Sequence, residues 1–414
     1  MKLRQILTLI TLMTIGELIF LLPFVITRIF RPTFLKVFDI TNLELGTAFS
    51  LYGLIAMVAY FFGGPLADRL SPRKLLPISF VATALGGVVM AFIPSVYVLS
   101  ALYGFWGLTT ILLFWAAYVK AQRELGVSIG QGKSFGSIDA GRGLVAAIMA
   151  SSTVFLLDAF LPVSADEASL QQMSDALSKI ILVVTAMTAL GAFLAWVFLP
   201  KEGQGHVTPS LPQISLEGVK LALKKRSVWM QALIVLCSYV GYKSIDDYSL
   251  YASVVLGYDD VESAQLASIS FWLRPIAAVL AGFLGDRFLH SNIITACFAL
   301  MALGTLSISS GFFIGGASFF IFMTIVMTSA AVYGLRGLYF ALFEESKVPL
   351  TITGSVAGIV SVIGYTPDVF MGPMMGYTLD TNPGASGHEI FFGIVAVFAI
   401  IGLVATLLFK RSVR

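Results

Sequence analysis

The chain has 414 residues, of which 57% are hydrophobic and only 12% are charged, and its mean hydropathy is +0.90. Soluble globular proteins carry about 25% charged residues, so this composition excludes a soluble protein and indicates one that lies largely within a membrane. The formal net charge of +3 comes with no concentrated basic patch, and we therefore expect no nucleic acid partner.

Along the chain, apolar runs recur that are long enough to cross a bilayer. A helix needs about 20 residues for this. The first run contains Glu17 and no small-residue cleavage site, so it is read as a retained helix and not as a signal peptide. Twelve runs predict an all-α membrane protein with twelve transmembrane helices. They span approximately residues 5–30, 43–64, 75–93, 95–119, 135–161, 178–199, 228–256, 264–284, 292–313, 317–342, 351–377 and 390–409.

The basic residues predict the orientation of these helices. With both termini in the cytoplasm, most of the 26 Lys and Arg fall in cytoplasmic segments, as the positive-inside rule requires. Outside the membrane on the opposite side, this assignment places only Arg28, Arg31, Lys36 and Lys179.

A polar stretch between the sixth and seventh runs divides the chain into two halves. We predict an N-terminal six-helix bundle (1–199), a cytoplasmic linker (200–226) and a C-terminal six-helix bundle (227–414). Residues 214–226 alternate apolar and basic faces, which favours a short helix on the inner membrane surface, with a disordered tether as the alternative.

Cysteine and histidine usage argues against an enzyme. Cys237 and Cys297 both fall inside predicted helices, so neither a disulfide framework nor a metal cluster is indicated. The three histidines, His206, His290 and His388, are assigned to loops. With no metal site or nucleophile–base pair in the pattern, we expect no catalytic activity and no cofactor.

A charged motif follows the second run and recurs in the second half of the chain. The first copy reads Gly64-x-x-x-Asp68-Arg69-x-x-x-Arg73-Lys74 and the second reads Gly282-x-x-x-Asp286-Arg287. Such charges could be topogenic only, but their repetition favours a role in conformational switching.

Together with twelve runs and a central linker, this motif resembles the major facilitator superfamily over essentially the whole chain. The resemblance implies two six-helix bundles that rock about a central cavity, with helices three, six, nine and twelve outside it. It also implies that Gly64, Asp68, Arg69, Arg73, Gly282, Asp286 and Arg287 take part in gating.

Three shorter segments are similar to the organophosphate and phosphate antiporter branch of that family. They are Leu45-Gly46, Asp68-Arg69-x-x-Pro72-Arg73-x-x-Leu76-Pro77 and Asp247-Tyr248-Ser249. That branch has phosphate-binding arginines in helices one and seven. Here the helix-seven position holds Tyr242 beside Lys243, and the helix-one position falls near Phe24 or Val25, with Arg28 one turn further out. The phosphate-clamping pair is therefore not carried over.

Charged residues within the predicted helices point to a polar pathway, because a charge at the bilayer centre costs roughly 2.5–3.5 kcal/mol on insertion scales. All of them fall on helices that line the cavity in the resembled family. They are Glu17, Asp139, Arg142, Lys243, Asp246, Asp247, Arg274, Arg336 and Asp368.

The cations among them are candidates for binding an anionic substrate. Arg274 and Arg336 have no opposite charge within four residues on their own helices, so they need an anionic ligand or an interhelical partner such as Glu17 or Asp368. Candidate substrate-binding residues are Arg274, Arg336, Arg142, Lys243, Tyr242 and Tyr365.

The carboxylates have two alternative roles each. Glu17 and Asp368, the latter after a helix-breaking proline, are proton-carrier candidates or structural partners of basic residues. Asp139 lies three residues from Arg142, which favours a gating or packing role beside direct substrate contact. Asp246 and Asp247 either pair with Lys243 or lie solvated near the outer end of helix seven.

We conclude from the sequence that this is a secondary active transporter, with proton-coupled transport of a small organic anion or zwitterion as the preferred mechanism. Proton-independent organic anion exchange and a non-transporting substrate sensor remain alternatives. The expected partners are a small anionic molecule, protons and the lipid bilayer. We expect a monomer in the inner membrane of a bacterium.

Overall fold

The computed structural model describes residues 3–413 except 201–219, 221–222, 312–317 and 347–352. Most of the predicted linker, including most of its amphipathic segment, lies outside the described residues. In the described part the chain is helical and contains no strand. The long apolar runs account for this, since every backbone polar group within a bilayer must be bonded inside its own helix.

Twelve helices are long and apolar enough to cross a membrane, as predicted. We number them α1–α12. They are Leu3–Ile29, Asn42–Arg69, Pro72–Ala91, Val96–Ile129, Gly136–Phe160, Leu170–Phe198, Arg226–Leu256, Asp260–Gly285, His290–Ser309, Phe319–Leu338, Val356–Thr381 and Ala385–Val413.

Four of these helices depart from regular α geometry. Helix α1 has a π-helical turn at Leu21–Val25, around Pro23, and α4 has one at Leu108–Trp115. Helix α7 tightens into a 3₁₀ turn at Ile245–Asp247. Helix α11 is broken before Pro367, as its sequence predicted, whereas α8 continues through Pro275 without interruption. Such irregularities free backbone groups and often mark functional sites.

The starts of three helices are closed by side chains that bond the first free N–H groups. Thr41 and Glu44 form a capping box at the start of α2, and Asp259 and Glu262 form one at the start of α8. Ser169 closes α6 in the same way. Each cap stabilises its helix by about 0.5–2 kcal/mol, which explains why these helices start where they do.

The apolar core is divided between the two sets of six helices. One cluster of buried side chains comes from α1–α6, with three residues of α8 packed against it, and the other comes from α7–α12. The two sets meet chiefly where α2 packs along α11 and α5 packs along α8. At the closest crossing, a methyl group added at Gly372 would lie 2.7 Å from the Gly46 carbonyl oxygen, so only glycine fits there.

Because the number of spans is even, both termini lie at one end of the bundle, here called the terminal end. At the other end, called the opposite end, polar contacts join the two halves. Lys36, on the short helix Arg31–Phe38, bonds Asp260 at 3.0 Å. The Asp380 carboxylate accepts from the N–H groups of Asn42 at 3.2 Å and Leu43 at 2.8 Å.

At the terminal end, three glycines of α2, α5 and α8 have no close neighbours in the part of the chain that the structure describes. Methyl groups added at Gly64, Gly136 or Gly282 would meet no heavy atom within 4 Å, and Asp68 and Arg69 are exposed. The polar contacts that join the ends of the two halves within the described residues therefore lie at the opposite end, and we interpret the terminal end as the parted one.

Candidate functional site

A cavity of about 120 Å³ lies between the two halves. Its walls come from α1, α2, α4, α5, α7, α8, α10 and α11, with no lining residue from α3, α6, α9 or α12. The lining residues are Glu17, Phe20, Phe24, Val25, Arg28, Tyr52, Ala56, Tyr60, Ile111, Trp115, Arg142, Tyr239, Tyr242, Lys243, Arg274, Arg336, Tyr365 and Asp368.

One face of α1 supplies much of this wall. Glu17, Phe20, Phe24 and Arg28 succeed one another at intervals of three or four residues, so they share a side of the helix. The π-helical turn at Leu21–Val25 widens α1 at this depth. It keeps both Phe24 and Val25 in the wall.

Four charges form the first of two ionic groups, which we call the Glu17 cluster: Glu17, Asp139, Arg142 and Arg274. Glu17 receives a hydrogen bond from Arg274 at 3.0 Å and lies 3.4 Å from Arg142. Asp139 lies 3.9 Å from both arginines. Glu17 is buried, whereas the Asp139 side chain is 56% exposed, so this cluster extends from the cavity centre to solvent.

The second group, the Asp246 cluster, consists of Arg28, Lys243, Asp246 and Asp368. Arg28 donates to Asp246, while Lys243 lies 3.2 Å from Asp246 and 3.6 Å from Asp368. The Tyr239 hydroxyl donates to Asp368 at 3.1 Å. Three of the four members are at most 5% exposed, so the mutual pairing is what makes their burial tolerable.

Arg336 belongs to neither cluster. Within the described residues, no carboxylate reaches its guanidinium at ion-pair distance. The guanidinium carbon instead lies 3.7 Å from the centre of the Tyr242 ring, and the buried Nη1 atom has no hydrogen-bond partner. An arginine cannot discharge by losing its proton, so this guanidinium keeps its positive charge without a carboxylate partner among the described residues.

Aromatic residues fill most of the remaining wall. The Tyr242 ring also faces Arg28, whose guanidinium carbon is 4.7 Å from the ring centre and whose Nη1 donates to the Tyr242 hydroxyl at 3.1 Å. Tyr52 and Thr110 share a hydrogen bond of 2.7 Å, and Tyr365 lies 3.3 Å from Tyr339. The wall therefore offers hydroxyls and ring faces beside its charges.

The structure brings the predicted substrate and proton residues together. Arg142, Lys243, Arg274, Arg336, Tyr242, Tyr365, Glu17 and Asp368 all line the one cavity. Arg274 makes the interhelical pair with Glu17 that the sequence left as an alternative, and Arg336 makes no such pair. Asp139 and Arg142 do pair, at the edge of the same site.

The predicted gating residues lie apart from the cavity, at the terminal end. Gly64, Asp68 and Arg69 occupy the last turns of α2 rather than a loop, and Arg73 stacks on Trp196 at 5.3 Å in the first turn of α3. Gly282 and Arg287 are placed similarly near the end of α8. The side chain of Asp286 lies outside the described residues.

Two sequence interpretations are wrong. Arg28, expected outside the membrane, lies within α1 and lines the cavity. His290 and His388 are not in loops: His290 is the first residue of α9, and His388 lies in the first turn of α12, where its Nδ1 is 2.7 Å from Asp247.

Of the two alternatives for Asp246 and Asp247, the structure supports pairing over solvation. Both are buried; Asp246 lies 3.2 Å from Lys243, whereas Asp247 pairs with His388.

Sequence reasoning also missed Phe20, Phe24, Tyr52 and Tyr60 as wall residues. The interval of four between Tyr52, Ala56 and Tyr60 was the available signal.

Comparison with known sequences settles the family. The sequence profile described as Major Facilitator Superfamily matches residues 6–370. The chain belongs to the Major Facilitator Superfamily. This superfamily consists of membrane transporters for small molecules, which are not enzymes, and the predicted family is thereby confirmed.

Two similar proteins are named inner membrane proteins of Escherichia coli strain K12. YqcE is 25% identical over 394 residues, which cover 93% of this chain and 90% of YqcE. YihN is 26% identical over 388 residues, which cover 90% of this chain and 88% of YihN. With the twelve spans, these relatives support an integral protein of the inner membrane.

Solved structures share the fold at low sequence identity. A bacterial homolog of the human lysosomal transporter Spinster, in an inward-facing and unoccupied conformation, matches with a TM-score of 0.69 at 14% identity, covering 100% of this chain and 98% of that one. The D-xylose-proton symporter matches with a TM-score of 0.70 at 14% identity, covering 98% of this chain and 97% of that one. At these identities the likeness establishes the fold alone.

Proposed function

We propose that this superfamily member is a secondary active transporter that carries a small organic anion, coupled to protons, by alternating access to the central cavity. The observation that carries the proposal is Arg336, a cation in the wall with a buried Nη1 and no acidic partner in the described residues. Its planar guanidinium can donate two parallel hydrogen bonds to a carboxylate, sulfonate or phosphate group.

The polar contacts between the halves support alternating access. If both termini are cytoplasmic, as the basic residues predict, the parted terminal end faces inwards. Turning outwards would then separate Lys36 from Asp260 and Asp380 from the start of α2. The same motion would bring the charged ends of α2 and α8 towards their neighbours in the other half, which is the proposed gating role of Asp68 and Arg69.

The arrangement around Glu17 supports proton coupling. Glu17 belongs to the first half and Arg274 to the second, so their 3.0 Å bond joins the halves within the site. An anion that takes Arg274 removes the hydrogen bond to Glu17 and leaves Arg142, at 3.4 Å, as its remaining ionic contact among the described residues. A proton on Glu17 then compensates for the lost bond. Protonation of Glu17 and anion binding to Arg274 therefore favour each other. Asp368, held by Lys243 and Tyr239, is the second candidate carrier.

Proton-independent anion exchange is the second candidate function. It is favoured by the two arginines that contact Glu17, because these contacts pair the buried carboxylate without any proton. In an exchanger, Glu17 would stay ionised. The protein would switch between its inward-facing and outward-facing conformations only with substrate bound. A sensor would bind the anion without moving it.

Counterflow in proteoliposomes tests the proposal. Vesicles preloaded with a pool of carboxylates, sulfonates and phosphate esters are diluted into the same pool carrying isotope labels, and mass spectrometry identifies which labelled anions enter. We expect at least one anion to exchange. Arg336→Gln should abolish that exchange, whereas Arg411→Gln, which alters an exposed arginine near the end of α12, should leave it unchanged. Absence of exchange for every anion would contradict the transport proposal.

A further inference from the structure

We propose that the cavity is matched to one net negative charge, so that a monovalent oxyanion binds alone and a divalent anion binds only together with a proton. This inference rests on the proposed function and deepens it, since it states which charge on the substrate requires the coupled proton. It follows from counting the charges of the cavity wall together with Asp139 and Asp246, which pair with wall residues without lining the cavity, and from how these charges are paired.

The Glu17 cluster is balanced by itself. It contains the carboxylates Glu17 and Asp139 and the guanidinium groups of Arg142 and Arg274, and all four contacts between them are 3.0–3.9 Å long. Each carboxylate contacts both arginines. The cluster therefore contributes no net charge to the site while all its members are ionised.

The Asp246 cluster is balanced as well. Arg28 and Lys243 face Asp246 and Asp368, and Lys243 bridges the two carboxylates. Beyond it, Asp247 does not line the cavity and pairs with His388 of α12 instead. No cation of the Asp246 cluster is left over for a ligand unless an existing ion pair is broken.

Arg336 is then the one charge of the described wall without a compensating partner. The tyrosine hydroxyls around it carry no formal charge, and stacking on Tyr242 holds the guanidinium without neutralising it. In a site of low dielectric constant, an uncompensated charge is costly and an anion that neutralises it is favoured. One negative charge completes the balance.

A second negative charge on the ligand would reverse the imbalance. Its compensation requires that one of the four carboxylates, Glu17, Asp139, Asp246 or Asp368, takes a proton. Glu17 is the best placed, because it contacts two arginines that a divalent anion could engage. A monovalent anion needs no such proton. The charge of the ligand thereby sets whether binding is coupled to protonation.

Two tetrahedral oxyanions of similar size but different charge test this inference. Methanesulfonate carries one negative charge and sulfate carries two. The purified full-length chain is heated in detergent with each anion at equal ionic strength, and the Tm is compared with that of Arg336→Gln, which removes the unpaired cation. The difference between the two proteins cancels the general effect of each salt on stability.

We expect methanesulfonate to raise the wild-type Tm by roughly 2 °C or more beyond its effect on Arg336→Gln, and sulfate to raise it less. Glu17→Gln removes one negative charge from the site and should reverse this order in favour of sulfate. Arg411→Gln should behave as the wild type. Lowering the pH should improve sulfate binding by the wild type and leave Glu17→Gln unaffected.

The inference is overturned if sulfate stabilises the wild type at least as well as methanesulfonate at neutral pH, or if Glu17→Gln leaves the order unchanged. It is also overturned if neither anion distinguishes the wild type from Arg336→Gln. These outcomes are separate from failure of the transport proposal, which is decided by counterflow and does not depend on the charge that is preferred.

Discussion

Single residues of the cavity wall differ in whether their charge has a partner. Arg28 and Arg336 both lie over the Tyr242 ring, but Arg28 is also paired with Asp246, whereas Arg336 has no carboxylate partner among the described residues. The pair Arg28 and Asp246 is separated by 218 positions, which is also the separation of Asp68 and Asp286 in the repeated motif. Arg28 and Asp246 thus occupy equivalent positions of the two halves and meet near the axis that relates them.

Asp246→Asn should destabilise the protein strongly, because it leaves Arg28 buried without a carboxylate. We expect a loss of about 3–5 kcal/mol, seen as a lowered Tm of the purified protein. The double variant Arg28→Gln with Asp246→Asn should recover part of that loss. Asp175→Asn, at an exposed position of α6, should change stability by no more than about 0.5 kcal/mol. Equal effects of the two Asp→Asn variants would show that the buried pair is not structural.

Some of these residues and contacts could be predicted from the sequence, and others could not. Arg28 could have been found by continuing the Glu17 face of α1 in steps of three or four residues. The contact of Glu17 with Arg274 could not, because it joins residues 257 positions apart and depends on how α1 meets α8. The isolation of Arg336 is equally hidden, since a missing partner becomes visible only when every neighbouring helix is in place.

Helices α2 and α11 form the longest seam between the halves and close the opposite end. Their approach depends on Gly46 and Gly372, whose backbones are in direct contact, and on Asp380, which accepts from the first N–H groups of α2. The negatively charged Asp380 carboxylate at the start of α2 also interacts favourably with the dipole of that helix. We propose that this seam keeps the opposite end closed in this conformation.

Gly46→Ala should separate α2 from α11 at the opposite end, because the added methyl group would collide with the backbone at Gly372. Spin labels at Ser95 and Ser386, both exposed at the opposite end, should move apart, and labels at Ser128 and Ser412 at the terminal end should approach. Double electron–electron resonance measures both distances. Gly136→Ala, where a methyl meets nothing within 4 Å, is the matched control and should change neither distance. Unchanged distances in Gly46→Ala would show that the contact between α2 and α11 accommodates the methyl group while the opposite end stays closed.

Asp68→Asn tests the other end of α2. Asp68 is exposed in this conformation, so its replacement should leave Tm and membrane insertion unchanged. If Asp68 makes its contact only when the terminal end closes, the initial rate of anion exchange should fall by roughly tenfold or more, as for loss of about 1.4 kcal/mol in the closed form. The control is Asp158→Asn, an exposed carboxylate of α5 at the opposite end. A normal exchange rate in Asp68→Asn would reduce the motif to a topogenic signal.

At the scale of the whole molecule, the twelve spans could be predicted because each is a long apolar run with polar ends. Their irregularities were harder to foresee. Pro367 indicated the break in α11, but Pro275 did not interrupt α8, since neighbouring helices can satisfy what a proline leaves open. The π-helical turns of α1 and α4 had no distinct signal, although Pro23 lies within the first.

Orientation in the membrane is a separate prediction. Cysteines introduced singly at Ser95 and Ser386 should react with an impermeant thiol reagent added to intact cells. Cysteines at Ser128 and Ser412 should react only after the membrane is permeabilised, because the basic residues place both termini in the cytoplasm. The reverse labelling pattern would invert the proposed topology. The terminal end would then face the outside of the cell.

The central claim is that a divalent anion bound at Arg336 and a proton bound at Glu17 are carried together. The most direct test is accumulation of a divalent anion identified by counterflow, measured in proteoliposomes under an imposed pH gradient. The wild type should accumulate the anion inside the vesicles against its concentration gradient. Glu17→Gln should lose this accumulation but still exchange labelled for unlabelled anion, since exchange needs no net proton movement. A Glu17→Gln protein that still concentrates the anion against its gradient would contradict the account.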